Sequence, residues 1–282
     1  MATVETQSEI LTCDDASYHG DYSAVSNTTL GWFINSPELY HGIVSGRFPA
    51  PTFEAAALGS AVHSVLLEGK AIADVAVLIP RDVLSANGSR AGSAWKAFEA
   101  ENAGKLLLKA GEFTEIETIV NAVRSDAMAA RMLAMPGPTE QAIRWTCKVS
   151  GLKRRAKLDK RADKFVADIK TTSDISPKGF AKSAWTFGYA RQAAFYQDAA
   201  EALTGERPDV VFIAVEKAAP YRCQCYELDG DFLTMGRDVM EYSLEDLAAR
   251  IEMDNWTSPS AGKVLTVSAP AWAKYESDWS AA

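Results

Sequence analysis

The stretch from Glu140 to Leu228 restricts the fold more than any other part of the chain. Three short strand patterns follow one another almost without a break: Glu140 to Val149, Leu152 to Asp159, and Phe165 to Lys170. Ser150-Gly151 joins the first two as a tight-turn pair, and Arg161 to Lys164 turns the chain again. A long helical pattern, Phe180 to Leu203, closes at Gly205. Val210 to Glu216 opens on an unbroken apolar run, the mark of a strand buried on both faces. Tyr221 to Leu228 alternates as a further strand, and Phe232 to Met253 reads as a last long helix. The order β-β-β-α-β-β-α predicts an α/β fold with a central mixed sheet flanked by helices.

The residues before this block read differently. Residues 1–25 are polar, lack periodicity and are expected to be a loose leader. Residues 26–138 form a helical part. It has caps at Ser26 to Thr29, a Ser36-Pro37 start and a clear Ala- and Leu-rich helix from about Phe53 to Glu68. Asp74 to Pro80 is a candidate strand, and Ser93 to Asn102 and Glu112 to Leu133 read as helices. The break MPGP at 135–138 separates this half, expected to pack on the sheet, from a core at 139–256. Residues 257–282 are expected to pack on that core as an irregular tail.

Composition narrows the class. With 282 residues, 48% of them apolar, the chain can bury a core without disulfide or metal staples. The start MATVETQSEI has no basic or apolar run, and Val210 to Val215 is too short to span a bilayer, so a cytoplasmic protein without a membrane role is expected. Cys13, Cys147, Cys223 and Cys225 form no C-x-x-C pair and read as reduced thiols. A net charge of −8 argues against a DNA coat protein, but the charge is uneven. Between Lys148 and Lys170 nine basic residues, Arg154 and Arg155 among them, stand against three acids. Such a patch can hold a polyanion, and it equally fits a solvated hairpin.

The chemistry concentrates in LDKRADKFVADIKTT, residues 158–172. Asp168 and Lys170, two apart on a strand, share a face. An antiparallel turn through Ala162-Asp163 would bring Asp159 close to Asp168 at one sheet end. Phosphodiester hydrolysis needs cations that neutralise phosphate and acidify water, and two carboxylates suit Mg²⁺ or Mn²⁺. The carbonyl of Ile169 could add an oxygen, and Lys170 could hold the attacking water and stabilise charge on the phosphate. Two ions would divide the work between nucleophile and leaving oxygen. Taken alone, the same residues also fit a salt-bridged surface hairpin.

An Asp closing one strand, then Asp-x-Lys on the next, resembles the motif of PD-(D/E)XK nucleases. Two further features narrow the likeness to the RecB-like branch. Gln192 to Tyr196, QAAFY, matches its Q-x-x-x-Y signature, the two side chains sharing a helix face. Gly59 to Glu68, GSAVHSVLLE, matches a helix whose His is a metal or active-site residue, although a lone His63 on such a helix also suits a core. SNTTLGWFINSPELYH, AWKAFEAENAGKLLL and VFIAVEKAAPY resemble RecE-type (exodeoxyribonuclease VIII-like) exonucleases, over roughly residues 22–256.

The resemblance implies a restriction-endonuclease-like fold with Asp159, Asp168 and Lys170 catalytic. Metal would be held by His63, Asp159, Asp168 and the Ile169 carbonyl, with Glu140 as an additional ligand or support. Gln192 and Tyr196 would contact DNA or support the site, Arg154 and Arg155 of the basic run are candidate DNA contacts beside them, and Lys217 would contact phosphate or serve a structural role equally well. It implies a Mg²⁺-dependent exonuclease that digests linear duplex DNA from 5′ ends in recombination, a ring-like homo-oligomer and a single-strand annealing partner. Iron–sulfur nucleases of the branch need three cysteines near the end, and none follows Cys225, so no cluster is expected. The open alternatives are an endonuclease or flap nuclease, a DNA-binding accessory protein without catalysis, and a hydrolase of another phosphoester.

Overall fold

A computed structural model describes residues 7–51, 54–148 and 150–269. The chain opens with β1 (Ser8–Leu11) and α1 (Asp15–Gly20), the latter capped by the Asp14 carboxylate on the Ser17 N–H at 2.7 Å. At the start of α2 (Asn27–Asn35), Ser26 accepts the Thr29 N–H while the Thr29 hydroxyl accepts the Ser26 N–H. Ser36 caps α3 (Pro37–Val44), with proline in its first turn. There follow α4 (Glu54–Leu67), α5 (Ile72–Val75), β2 (Ala76–Leu78), α6 (Ser93–Glu101), β3 (Leu106–Leu108), α7 (Ala110–Ser125) and α8 (Ala127–Ala134). The one helix expected over Glu112 to Leu133 is two, because Asp126 leaves the helix and caps α8 by accepting from the Met128 and Ala129 N–H groups.

The second half comprises β4 (Thr139–Thr146), β5 (Lys153–Arg161), β6 (Phe165–Thr172), α9 (Pro177–Thr186), α10 (Tyr189–Thr204), β7 (Asp209–Glu216), β8 (Cys223–Glu227) and α11 (Gly230–Met253). The helix expected across Phe180 to Leu203 breaks at Gly188, whose φ of +68° is a left-handed conformation that glycine adopts without strain.

Six strands form one sheet in the order β1-β4-β5-β6-β7-β8. The β6–β7 pair is parallel and the other four pairings are antiparallel, so the sheet is mixed as expected. The loose leader expected for residues 1–25 is corrected over its described part. Ser8 to Leu11 pair with Ala142 to Trp145, and Val25 exchanges backbone hydrogen bonds with Lys153 and Arg155. Backbone pairing, rather than an apolar pattern, holds this edge: Ile10 is 54% exposed.

Helices cover both faces. On one, α2, α3, α10 and α11 bury Leu30, Phe33, Phe195 and Met240 against Ile143, Leu158 and Phe212. On the other, α4, α7 and α8 bury Val62, Ile116, Ile119 and Ala129 against Ile169, Ile213 and Val215. Alanines on α10 and Gly236 on α11 let these helices approach closely, since a Cβ at Gly236 would lie 2.3 Å from the Ala190 carbonyl carbon. Of the expected tail, Ser258 donates its N–H to Glu38 at 2.6 Å, while Val264, Leu265 and Val267 are exposed. Residues 1–6, Thr52, Phe53, Val149 and residues 270–282 lie outside the described residues. Among the described residues, no helix is long and apolar enough to cross a membrane.

Candidate active site

Strand β6 is paired with β7 at every position from Phe165–Asp209 to Thr172–Glu216. With β5 it pairs only at Lys160–Ala167 and Arg161–Val166. At the next step Asp159 Oδ2 accepts the Ile169 N–H at 2.9 Å, where a continued ladder would use a backbone carbonyl. The sheet forks there, and the polar side chains expected from the sequence gather at the fork.

From α4, His63 reaches in with Nε2 3.0 Å from the Ile169 carbonyl oxygen and Nδ1 3.4 Å from Asp159 Oδ2. The backbone of Ile169 is thus held by Asp159 at its N–H and by His63 at its carbonyl. Glu140 sits opposite Asp159, between the Thr139–Lys160 and Gln141–Leu158 pairs. Its φ of +50° is left-handed, a conformation that costs a non-glycine residue about 1–3 kcal/mol and is held in place by its surroundings. One carboxylate oxygen contacts Lys157, and Lys157 also reaches Asp15 of α1 at 2.5 Å. The other, Oε1, is buried with no hydrogen-bond partner and lies 3.9 Å from His63 Nδ1. Ligating atoms of His63, Glu140 and Asp159 all lie within 4.8 Å of one another.

Asp168 and Lys170 meet from the α10 side. The Tyr196 hydroxyl donates to Asp168 Oδ1 at 2.8 Å, and the Gln192 amide donates to the same oxygen at 3.3 Å and to the Tyr196 hydroxyl at 2.7 Å. Lys170 Nζ is 2.5 Å from Asp168 Oδ2 and 4.9 Å from the centre of the Tyr189 ring. Tyr189, Gln192 and Tyr196 are spaced three and four apart, so they share the helix face turned to β6.

Burial sets the electrostatics. Removal from water raises the Asp159 pKa; the His63 charge opposes this, and the Asp168 carboxylate adds to it. For Lys170, burial works against the charge, but Asp168 and Asp159 outweigh it and hold the ammonium above its ordinary value. Lys157 is raised too, its desolvation being outweighed by Asp15 and Glu140. Burial beside Asp168 lifts Tyr196 well above the usual phenol range, so it stays a donor.

The expected residues are not all equivalent. Asp168 is outside the 4.8 Å cluster of His63, Glu140 and Asp159. The strands part at this point: Asp159 turns to the Ile169 N–H, and Asp168 turns to Tyr196 and Gln192 of α10. Arg154 is a correction: it is 2% exposed, bonded to Asp198 at 2.7 Å and packed on Trp145 and Phe195, so its charge is spent inside the fold. Arg155, on the opposite strand face, donates to the Ala24 carbonyl, lies over Tyr18 and leaves Nη1 unpartnered. Lys217 joins β6 through its backbone N–H to the Thr172 carbonyl and does not line the cavity described next.

A cavity of about 760 Å³ opens on the fork. His63, Glu140, Lys157, Asp159, Gln192 and Tyr196 line it, with Asp15, Tyr18 and Trp32 from the N-terminal segment. Sequence reasoning missed Lys157 and Tyr189. Lys157 stands two residues before Asp159 on one strand, and Tyr189 three before Gln192 on one helix, so face-sharing alone could have found both. One imidazole, two carboxylates and an adjacent carbonyl make an oxygen-rich donor set that suits a hard divalent cation, and Glu140 Oε1 is an acceptor with nothing yet to accept.

A solved structure from Eubacterium rectale, described as a "Putative exonuclease", matches 94% of this chain and 98% of its own at 15% identity, with a TM-score of 0.62. At that identity the likeness is one of fold. No curated protein matches the chain. The family described as a PDDEXK-like domain of unknown function (DUF3799) matches residues 26–266, and the chain belongs to that family.

Proposed function

We propose that this chain is a divalent-metal-dependent deoxyribonuclease, acting as an exonuclease on linear duplex DNA. The observation that carries this reading is the fork. There His63, Glu140 and Asp159 converge beside Ile169, and Asp168 and Lys170 are its neighbours on β6. Metal would be held by His63, Glu140, Asp159 and the Ile169 carbonyl, with Asp168 completing a site for one or two Mg²⁺ or Mn²⁺ ions. Bound there, the metal would neutralise phosphate charge and acidify a water.

The chain's own groups supply the rest. Lys170, kept protonated by Asp168 and Asp159, donates hydrogen bonds to the attacking water and to the phosphate oxygen on which charge accumulates. Asp168 cannot swing away from Lys170, because Tyr196 and Gln192 hold its other oxygen. Glu140 is held by Lys157, and Lys157 by Asp15, so the N-terminal segment braces the donor set. The substrate strand would lie along the cavity. Action from 5′ ends, a ring-like assembly and work with an annealing protein in recombination are supported by the RecE-type resemblance and belong to the same proposal.

The test is direct. End-labelled linear duplex and closed circular duplex are each incubated with the protein, in Mg²⁺ and in chelator. The expected result is loss of the linear DNA only, and only with metal. Nicking of the circle would make the protein an endonuclease. Binding without cutting in any divalent metal would make it an accessory protein.

A further inference from the structure

We propose that Trp185 and Phe187, flanked by Lys178 and Lys182, form a stacking platform for unpaired nucleobases of a single strand beside the Lys170 end of the site; this rests on the nuclease reading. Lys178, Lys182 and Trp185 are spaced four and three apart on α9, so they share one face, and all three are exposed. That helix, PKGFAKSAWT, has no acidic residue, in a chain whose net charge is −8.

Trp185 and Phe187 are 60% and 64% exposed, an unusual cost for two large rings only two residues apart. Their surroundings connect them to the site. Phe187 stacks on Tyr189 with centroids 5.9 Å apart, and Tyr189 also carries the Lys170 ammonium 4.9 Å from its centroid. Tyr189 is itself backed by Phe212 at 5.5 Å, which makes it a rigid base for the outer ring. Trp185 leans on Phe232 at 6.2 Å. Tyr189 and Phe187 therefore step from the catalytic lysine to the surface, and Trp185 adds a second exposed ring two residues before Phe187, on the α9 face that carries Lys178 and Lys182. Faces for bases and cations for phosphates are what binding of a single strand requires. Helix α10 carries both ends of this arrangement, since Tyr196 and Gln192 hold Asp168 while Tyr189 carries Phe187.

The experiment titrates full-length protein into a short single-stranded oligonucleotide containing 2-aminopurine, with chelator present so that nothing is cut. Saturable quenching that weakens with salt is expected. Phe187→Leu, which keeps an apolar side chain but removes the ring, is expected to weaken binding roughly tenfold and to abolish most of the quenching. Phe187→Tyr should restore both, and the double change Lys178→Ala, Lys182→Ala should flatten the salt dependence. Wild-type binding and quenching in Phe187→Leu would overturn the platform, as would a wild-type protein that does not bind the oligonucleotide. Sedimentation showing a wild-type oligomer that Phe187→Leu dissociates would assign the rings to a second copy of the chain, along the exposed Met235 and Val239 that follow Phe232 on α11. Duplex cutting with metal is scored separately. Cutting by the wild type, with Phe187→Leu still binding normally, removes the platform alone. Platform behaviour without any cutting removes the nuclease reading alone.

Discussion

Strand β6 meets its two neighbours in different ways. Against β7 it is paired from end to end, and Phe212 and Ala214 of β7 enter one core while Ile213 and Val215 enter the other. Against β5 it pairs at two positions and then parts from it. A closed ladder satisfies its peptide groups with other peptide groups and leaves none for chemistry. An opened one hands them to side chains: the Ile169 N–H goes to Asp159 and its carbonyl to His63. The same strand thus serves as scaffold on one edge and as site on the other. Phe212 sits opposite Asp168 in the closed ladder, which places the two roles side by side.

Substitutions can separate the roles. The largest effect on chemistry is expected from Asp159→Asn or Asp168→Asn, with cutting of linear duplex falling at least about 10³-fold and the thermal midpoint staying near that of the wild type. A variant that unfolds instead would make the fork structural. Phe212→Ala, in the sealed ladder, should do the reverse. Denaturant unfolding is expected to show a loss of about 3–5 kcal/mol, with cutting retained per folded molecule.

Two smaller effects sharpen the contrast. Tyr196→Phe removes the shorter of the two hydrogen bonds to Asp168 Oδ1, leaving Gln192, without changing shape. Rates are expected to fall about 10- to 100-fold, with little change in unfolding free energy. Lys157→Ala frees Glu140 from its tether, and the metal concentration for half-maximal cutting is expected to rise about tenfold, with Lys157→Arg in between. An unchanged metal requirement in Lys157→Ala would show that Glu140 needs no brace.

Much of this layout can be read from residues 139–228, where alternation, the Ser150-Gly151 turn and the apolar run of β7 each leave a local signal. The two aspartates, the lysine and Gln192 with Tyr196 stand close together because strand and helix periods place them there. What stays hidden depends on tertiary pairing. β1 is four residues of mixed exposure, and only backbone partners in β4 make it a strand. Gly188 and Asp126 interrupt helices whose apolar periodicity runs on across them. Arg154 and Arg155 look alike in a basic run and both are buried, yet strand alternation sends one to Asp198 and the other to the cavity wall over Tyr18. Nor does local spacing reveal that β5 and β6 part after two pairs, which is why Glu140 rather than Asp168 joins His63 and Asp159 in the tight cluster.

Crystals grown with Mn²⁺ and measured for anomalous scattering test the central claim most directly. The expected result is a peak bounded by His63, Glu140, Asp159 and the Ile169 carbonyl, lost in crystals of Asp159→Asn. A peak elsewhere, with the fork empty while the protein cuts DNA, would contradict the account.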